Sequence, residues 1–172
     1  CMRNLPLDEA VPIVDSAVRA GDVTVRELRS IARSLRGRGR VRAMGVAAMA
    51  SGLAANPYES TLRAIASTIP GLAARPQRPV RIAGRTYNPD LLDERLGIAV
   101  EAESFAWHGE TAALSRDCAR YNAFVNAGLI VVRFSWWQVM LTPAYVVEVL
   151  VGAVRRAHQH ANVAQVAAAY PP

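Results

Sequence analysis

The sequence predicts an α/β fold: a mixed sheet flanked by helices, in the order αβββαβα, preceded by a small helical segment. Three observations carry this. Residues 1–67 space their apolar side chains only at helical intervals, and the period turns extended near Val80. A helix-length pattern then separates the third and fourth strand-like stretches, and a crossover of that length lets two strands run parallel in one sheet.

The segments follow in order. "LPLDEAVPIVDSAVRAG" reads as a helix capped near Asp8 and closed by Gly21, with Pro12 in its first turn or bending it. "TVRELRSIARSLRG" opens with a capping box, Thr24 with Glu27, and places Leu28, Ile31, Ala32 and Leu35 on one apolar face. A third helix, about Val41 to Leu53, is rich in Ala, Gly and Met and suits packing. In "NPYESTLRAIAS", Asn56 caps and Pro57 takes the first helical position, with Glu59 and Arg63 one turn apart as a possible surface ion pair.

"VRIAGRTYNPDLLD" reads as a hairpin turning at Ala83-Gly84, and "RLGIAVEAES" as a more buried strand. The helix "GETAALSRDCARYNAFVNAG" offers Leu114, Cys118, Tyr121 and Val125 as its apolar face, and "LIVVRFS" follows as a buried strand. "PAYVVEVLVGAVRRAH" closes the fold with Val147, Leu150, Val151 and Val154 inward, and Phe134, Trp136 and Trp137 are expected to pack against it. Domain limits are expected at 1–55 for a helical connector, 56–158 for the α/β domain and 159–172 for a tail.

Composition narrows the partners. The longest apolar stretch, Ala127 to Val132, falls far short of the ~18 residues that a membrane-spanning helix needs, so no membrane association is expected. No charged segment followed by an apolar run marks a secretory signal, and a cytoplasmic location is expected. Cys1 and Cys118 are too few for a disulfide framework. The net charge of +6 favours a polyanion as partner. All 20 basic residues are Arg, and Arg26, Arg29, Arg33 and Arg36 line one helix face, with Arg38, Arg40 and Arg42 continuing the run. Such a stripe either tracks phosphates or is a solvated face.

The chemistry concentrates in "PDLLDERLGIAVEAESFAWHG", residues 89–109. Strand alternation sends Glu101 and Glu103 to one face, and Asp90, at the end of the neighbouring strand, comes alongside. Carboxylates gathered in this way imply solvent or a cation, and Mg2+ takes few protein carboxylates, completing its shell with water and substrate phosphate. Such an ion serves phosphodiester hydrolysis, with His108 as candidate general base. Asp93 and Glu94 are explained by a tight turn.

From "ESTLR" through that segment, "RDCARYN" and "GLIVVRFSWWQVM", the chain resembles a bacterial family related to very-short-patch-repair endonucleases, within the PD-(D/E)XK nuclease superfamily. The resemblance covers residues 57–156. It implies a restriction-endonuclease-like core, DNA as substrate and Mg2+ or Mn2+ as cofactor. Family members often carry an upstream winged helix similar to abortive-infection antitoxins, and residues 1–55 look like the connector behind it, which suggests a fragment of a longer protein. By position, Asp90 and Glu101 match the metal ligands, and Glu59 matches the acid of the leading helix. Glu103 occupies the place of the superfamily lysine. Ala106 and Trp137 stand where relatives often have acids. Arg116, Asp117, Arg120 and Asn122 match an "RDxxRxN" helix whose arginines approach DNA phosphates or the site carboxylates, and Arg63 is a further candidate for DNA.

Because the chain has no lysine, water activation falls to His108, to metal-bound water alone, or is lost. The expected function is therefore a metal-dependent endodeoxyribonuclease. The alternative is a catalytically inactive nuclease fold acting as a DNA-binding or regulatory module, antitoxin-like in character.

Overall fold

The computed structural model describes residues 1–54, 56–103 and 111–169, with side chains described outside 111–113 and 161–169. The chain forms two compact units, Cys1–Thr68 and Ile69–Pro172.

The first unit holds four helices: α1 (Leu7–Ala20), α2 (Val25–Ser34), α3 (Arg40–Met49) and α4 (Pro57–Ser67). In α1, Asp8 lies inside the first turn rather than at the cap, where its charge favours the helix dipole. Pro12 lies in the second turn and gives no N–H to the Asp8 carbonyl; the Thr61 hydroxyl, from α4, sits 3.5 Å from that oxygen. Gly21 ends α1 in the left-handed region at φ 81°, its N–H turned back to the Ala17 and Val18 carbonyls. The capping box of α2 forms as its sequence requires, with Thr24 and Glu27 exchanging hydrogen bonds. Leu28 and Ala32 of α2 are buried, but Ile31 is 47% exposed, so the inward stripe is narrower than the expected one.

The shared core is made of Ala10, Val11, Val14, Leu28, Ala43 and Val46, and Ala64 of α4 belongs to it. Helix α4 therefore groups with α1–α3, and the boundary falls after it rather than before it as expected. The cap of α4 is the expected one: Asn56 accepts the Glu59 N–H at 3.0 Å, and Pro57 takes the first helical position. We expect Asn56→Ala to cost about 1 kcal/mol in urea unfolding followed by far-UV circular dichroism, since the Glu59 N–H then loses its acceptor.

The second unit contains β1 (Arg75–Pro76), β2 (Val80–Ile82), β3 (Arg85–Tyr87), β4 (Leu91–Asp93), β5 (Ile98–Glu103), α5 (Thr111–Asn126), β6 (Ile130–Ser135), α6 (Trp136–Leu141) and α7 (Pro143–Ala169). It is mixed α/β, with a four-stranded sheet in the order β1-β4-β5-β6 and a separate β2-β3 hairpin. The hairpin turns where the sequence predicts, at Ala83 and Gly84, with φ of 47° and 81°. It ends at Tyr87, so Leu91–Asp93 belongs to the main sheet instead. Strands β4 and β5 are antiparallel. Strands β5 and β6 pair in parallel across α5, with Ile98 opposite Ile130 and Glu101 opposite Arg133. The expected parallel pair is present.

The turn from β4 to β5 is held by Asp93, whose carboxylate accepts the Leu96 N–H at 3.0 Å and the Ala73 N–H at 2.7 Å. That buried side chain closes the turn, as expected. Two expectations fail on helix rotation. Leu114, Cys118, Tyr121 and Val125 of α5 are exposed, and Phe124 is buried instead. Its neighbour one turn back, Arg120, bonds to Glu101, so a polar anchor sets the rotation of α5. In α7 the inward line is Val146, Leu150, Val154 and Ala157, while Val147 and Val151 are more than a third exposed. Trp136 and Trp137, expected in the core, are 46% and 68% exposed because Ser135 caps a short helix, α6, that turns both indoles outward. Phe134 is buried as expected. Helix α7 continues through Ala169, where a tail was expected from 159. Among the described residues no helix is long and apolar enough to cross a membrane.

Candidate functional site

The register of the sheet brings the acidic residues together. Leu91 pairs with Val100, so Asp90, one step before β4, continues the ladder opposite Glu101. Asp90 is tied down on both carboxylate oxygens: Oδ2 accepts the Ala102 N–H at 2.8 Å and Oδ1 accepts the Gln77 side-chain amide at 3.2 Å. The Gln77 N–H also donates to the Asp90 carbonyl at 3.1 Å, which locks the segment leading into β4 against β1.

Glu101 and Glu103 share a face of β5, and each meets a guanidinium. Arg120 of α5 donates from Nη2 to Glu101 Oε1 at 2.8 Å and Oε2 at 3.1 Å, and to the Asn88 carbonyl at 2.9 Å. It also lies over the Phe124 ring, 5.5 Å from the centroid. Arg133, opposite Glu101 in the register, turns its guanidinium to Glu103 and lies 5.7 Å from the Tyr121 ring centroid. Three carboxylates are thus faced by two fixed positive charges.

The electrostatics follow from burial. Desolvation pushes the Glu101 carboxyl up to about 7, with the Asp90 charge adding to the rise, against the pull of Arg120 and Arg133. Asp90 is also raised, chiefly by burial, although the Ala102 N–H, Arg120 and Gln77 hold it down and the Glu103 charge adds a little. Two adjacent carboxyls raised mainly by burial would be held in their charged forms by a further positive charge. That donor set suits a hard divalent cation, which needs only one or two protein carboxylates. Among the described residues no group of three or more His, Cys, Asp and Glu is placed to hold a metal ion, so Glu103, drawn to Arg133, does not complete a three-carboxylate cage.

Arg116 is exposed on α5, one turn before Arg120, and Asp117 beside it is exposed too. Glu59 lies in the first unit, where it accepts the Asn56 side-chain amide at 3.0 Å. Arg63 corrects an expectation. It is buried in the first unit, where it forms an ion pair with Asp15 and donates to the Met49 carbonyl, so its guanidinium is spent inside the helical core and is not presented to DNA. His108 and Ala106 lie outside the described residues.

Arg133 and Gln77 join the site only through the fold. Arg133 carried a signal: it is the one charge in the apolar run "LIVVRFS", and a parallel register with β5 sets it among the glutamates. Gln77 carried none, because its role depends on the pairing of a two-residue strand, β1.

Compared with protein-family models, curated proteins and solved structures, the chain matches none of them.

Proposed function

We propose that the second unit is a metal-dependent endonuclease-like domain with a restriction-endonuclease-like core, similar to the very-short-patch-repair endonucleases, which hydrolyses DNA phosphodiester bonds. The observation that carries this is the placement of Asp90, one step before β4, opposite Glu101 of β5, both with raised pKa. The resemblance of its ordered motifs to that family adds support. Asp90 and Glu101 would hold Mg2+ or Mn2+, which when bound polarises a phosphoryl oxygen and lowers the pKa of an attacking water.

The remaining work falls to the chain itself. Gln77 and the Ala102 N–H fix the Asp90 carboxylate, so it meets a cation without rearranging. Arg120, released from Glu101, would offset charge that develops on the phosphate, and exposed Arg116 would hold a flanking phosphate. His108 is the candidate base for the water proton, since its ordinary pKa lies near neutrality.

We expect the purified chain to nick supercoiled plasmid in the presence of Mg2+ or Mn2+. Asp90→Ala and Glu101→Ala should each lower the rate by about 100-fold or more, equivalent to a few kcal/mol of transition-state stabilisation. If supercoiled, mismatched and single-stranded DNA all stay intact with either metal, the nuclease proposal fails. The two glutamate–arginine pairs favour a second reading: a catalytically silent nuclease fold in which guanidinium groups take the place of the metal and of the missing lysine. It predicts DNA binding that survives both EDTA and Glu101→Ala.

A further inference from the structure

The chain's positive charge is not spread evenly. Residues 26–42 contain seven arginines and one acid, Glu27, a balance of +6 that equals the net charge of the whole protein. Glu27 is committed to the α2 cap, where its carboxylate accepts from the Thr24 N–H and hydroxyl at 2.8 and 2.7 Å. All seven arginines are exposed, and among the described residues none forms an ion pair.

Several of them stand one helical turn apart, as Arg29 and Arg33 do, where like charges repel. The corner between α2 and α3 is nonetheless built to keep its shape. The Arg3 side chain donates to the Arg38 carbonyl at 2.6 Å, and Gly39, at φ 81°, brings the chain so close that a Cβ would lie 2.8 Å from the Arg3 carbonyl oxygen. Arg3, Arg38, Arg40 and Arg42 line one hollow at this corner, and Arg29 and Arg33 line a second beside Met44. The N-terminus of α3 has no side-chain cap and no acid in its first turn.

We infer that the α2–α3 surface of the first unit is a docking site for the sugar–phosphate backbone of duplex DNA, built from other residues than the acidic cluster of the second unit and independent of base sequence. Three features select this partner. An all-arginine surface presents guanidinium forks that suit phosphate oxygens. A single-strand platform needs exposed aromatic side chains, but the one aromatic residue of the first unit, Tyr58, is buried. A lipid surface needs a continuous apolar helix face to insert; Leu28 and Ala32 of α2 are in the core, and the large apolar side chains this surface exposes, Ile31, Val41 and Met44, stand among exposed arginines. Arg29 and Arg33 in one hollow and Arg38 and Arg40 in the other offer about four phosphate contacts. The choice of DNA over duplex RNA rests on the proposed function, whereas the backbone site does not.

The test is equilibrium binding of the full chain to a short DNA duplex in EDTA as salt is varied. With about four phosphate contacts, the plot of log affinity against log salt should have a slope near −3.6, about a 100-fold loss between 50 and 200 mM. The combined variant Arg29→Gln, Arg33→Gln, Arg38→Gln and Arg40→Gln should flatten that slope by about 3 or more, while the matching Arg→Lys variant keeps most of it. Because these side chains are exposed, both variants should retain the helical circular dichroism and melting temperature of the parent. The inference is overturned if the Gln variant folds and binds with the parent's slope, if the parent binds anionic vesicles and not duplexes, or if it prefers duplex RNA. Loss of plasmid nicking with arginine-dependent binding intact would sink the nuclease proposal alone.

Discussion

Asp15→Ala should destabilise the first unit by about 3–5 kcal/mol, the usual cost of leaving one member of a buried ion pair without its partner. Asp15 is fully buried on α1. One of its oxygens accepts the Ser51 N–H at 2.8 Å, which fixes the stretch after α3, and the other meets Arg63 of α4. Arg63 in turn donates to the Met49 carbonyl at the end of α3. A single carboxylate thus ties three helices, and alanine at this position leaves a guanidinium that is 8% exposed with no counter-charge. Against the ~5–15 kcal/mol by which a typical domain is stable, that loss is a large fraction. Hydrogen exchange of the α1–α4 amides, with urea unfolding followed by circular dichroism, measures it. The double variant Asp15→Leu with Arg63→Met should recover most of the loss, because well-packed apolar side chains replace a buried pair at little cost. A loss below about 1 kcal/mol in Asp15→Ala would show that the pair does not hold the helices together. The same argument explains why Arg63→Gln would weaken any DNA binding only indirectly, by loosening the helices that present the arginine surface.

The sequence made local features legible and hid those that depend on distant pairing. The caps of α2 and α4, the Ala83-Gly84 turn and the Asp93 turn are each written within a few residues, and each forms as expected. The parallel pairing of β5 with β6 was readable because a helix-length segment between two apolar strands leaves few other arrangements. The burial of Arg63 is not legible in the sequence because its partner lies 48 residues away, and no periodicity reports a buried carboxylate across that distance. Strand β1 is two residues long and exists only by pairing with β4. The rotation of α5 was hidden for a related reason. Its apolar spacing favours the Leu114–Val125 stripe, but the bond from Arg120 to Glu101 turns Phe124 inward. In the candidate site, Asp90 and Glu101 are expected together and Arg120 is expected at phosphates or at the site carboxylates, whereas the places of Arg133 and Gln77 depend on the fold.

Raising the pH through the range from 4.5 to 7 should cost the second unit stability on the order of 3 kcal/mol relative to a Glu101→Gln variant. The sign follows from proton counting. The Glu101 carboxyl titrates near 7 in the fold, against an ordinary 4.5, so between those values the folded chain holds a proton that the unfolded chain has released. Stability from this group is therefore complete below pH 4.5 and is lost as the pH climbs through 7. Glutamine mimics the protonated form and should show no such decline. On the proposed metal site, a divalent cation would act in the opposite direction, because it would bind the ionised carboxylate. Millimolar Mg2+ or Mn2+ should raise the melting temperature above pH 7, raise it little below pH 4.5, and leave Glu101→Gln almost unmoved. Arg120 already contributes a positive charge to Glu101 at 2.8 Å, so Arg120→Gln removes the competitor and should enlarge the metal-induced shift above pH 7. If the metal shifts parent and Glu101→Gln equally at every pH, the cation binds elsewhere and the Asp90–Glu101 pair is not its site. If instead Arg120→Gln abolishes the shift, Arg120 supports the metal-binding form of the site rather than competing for Glu101.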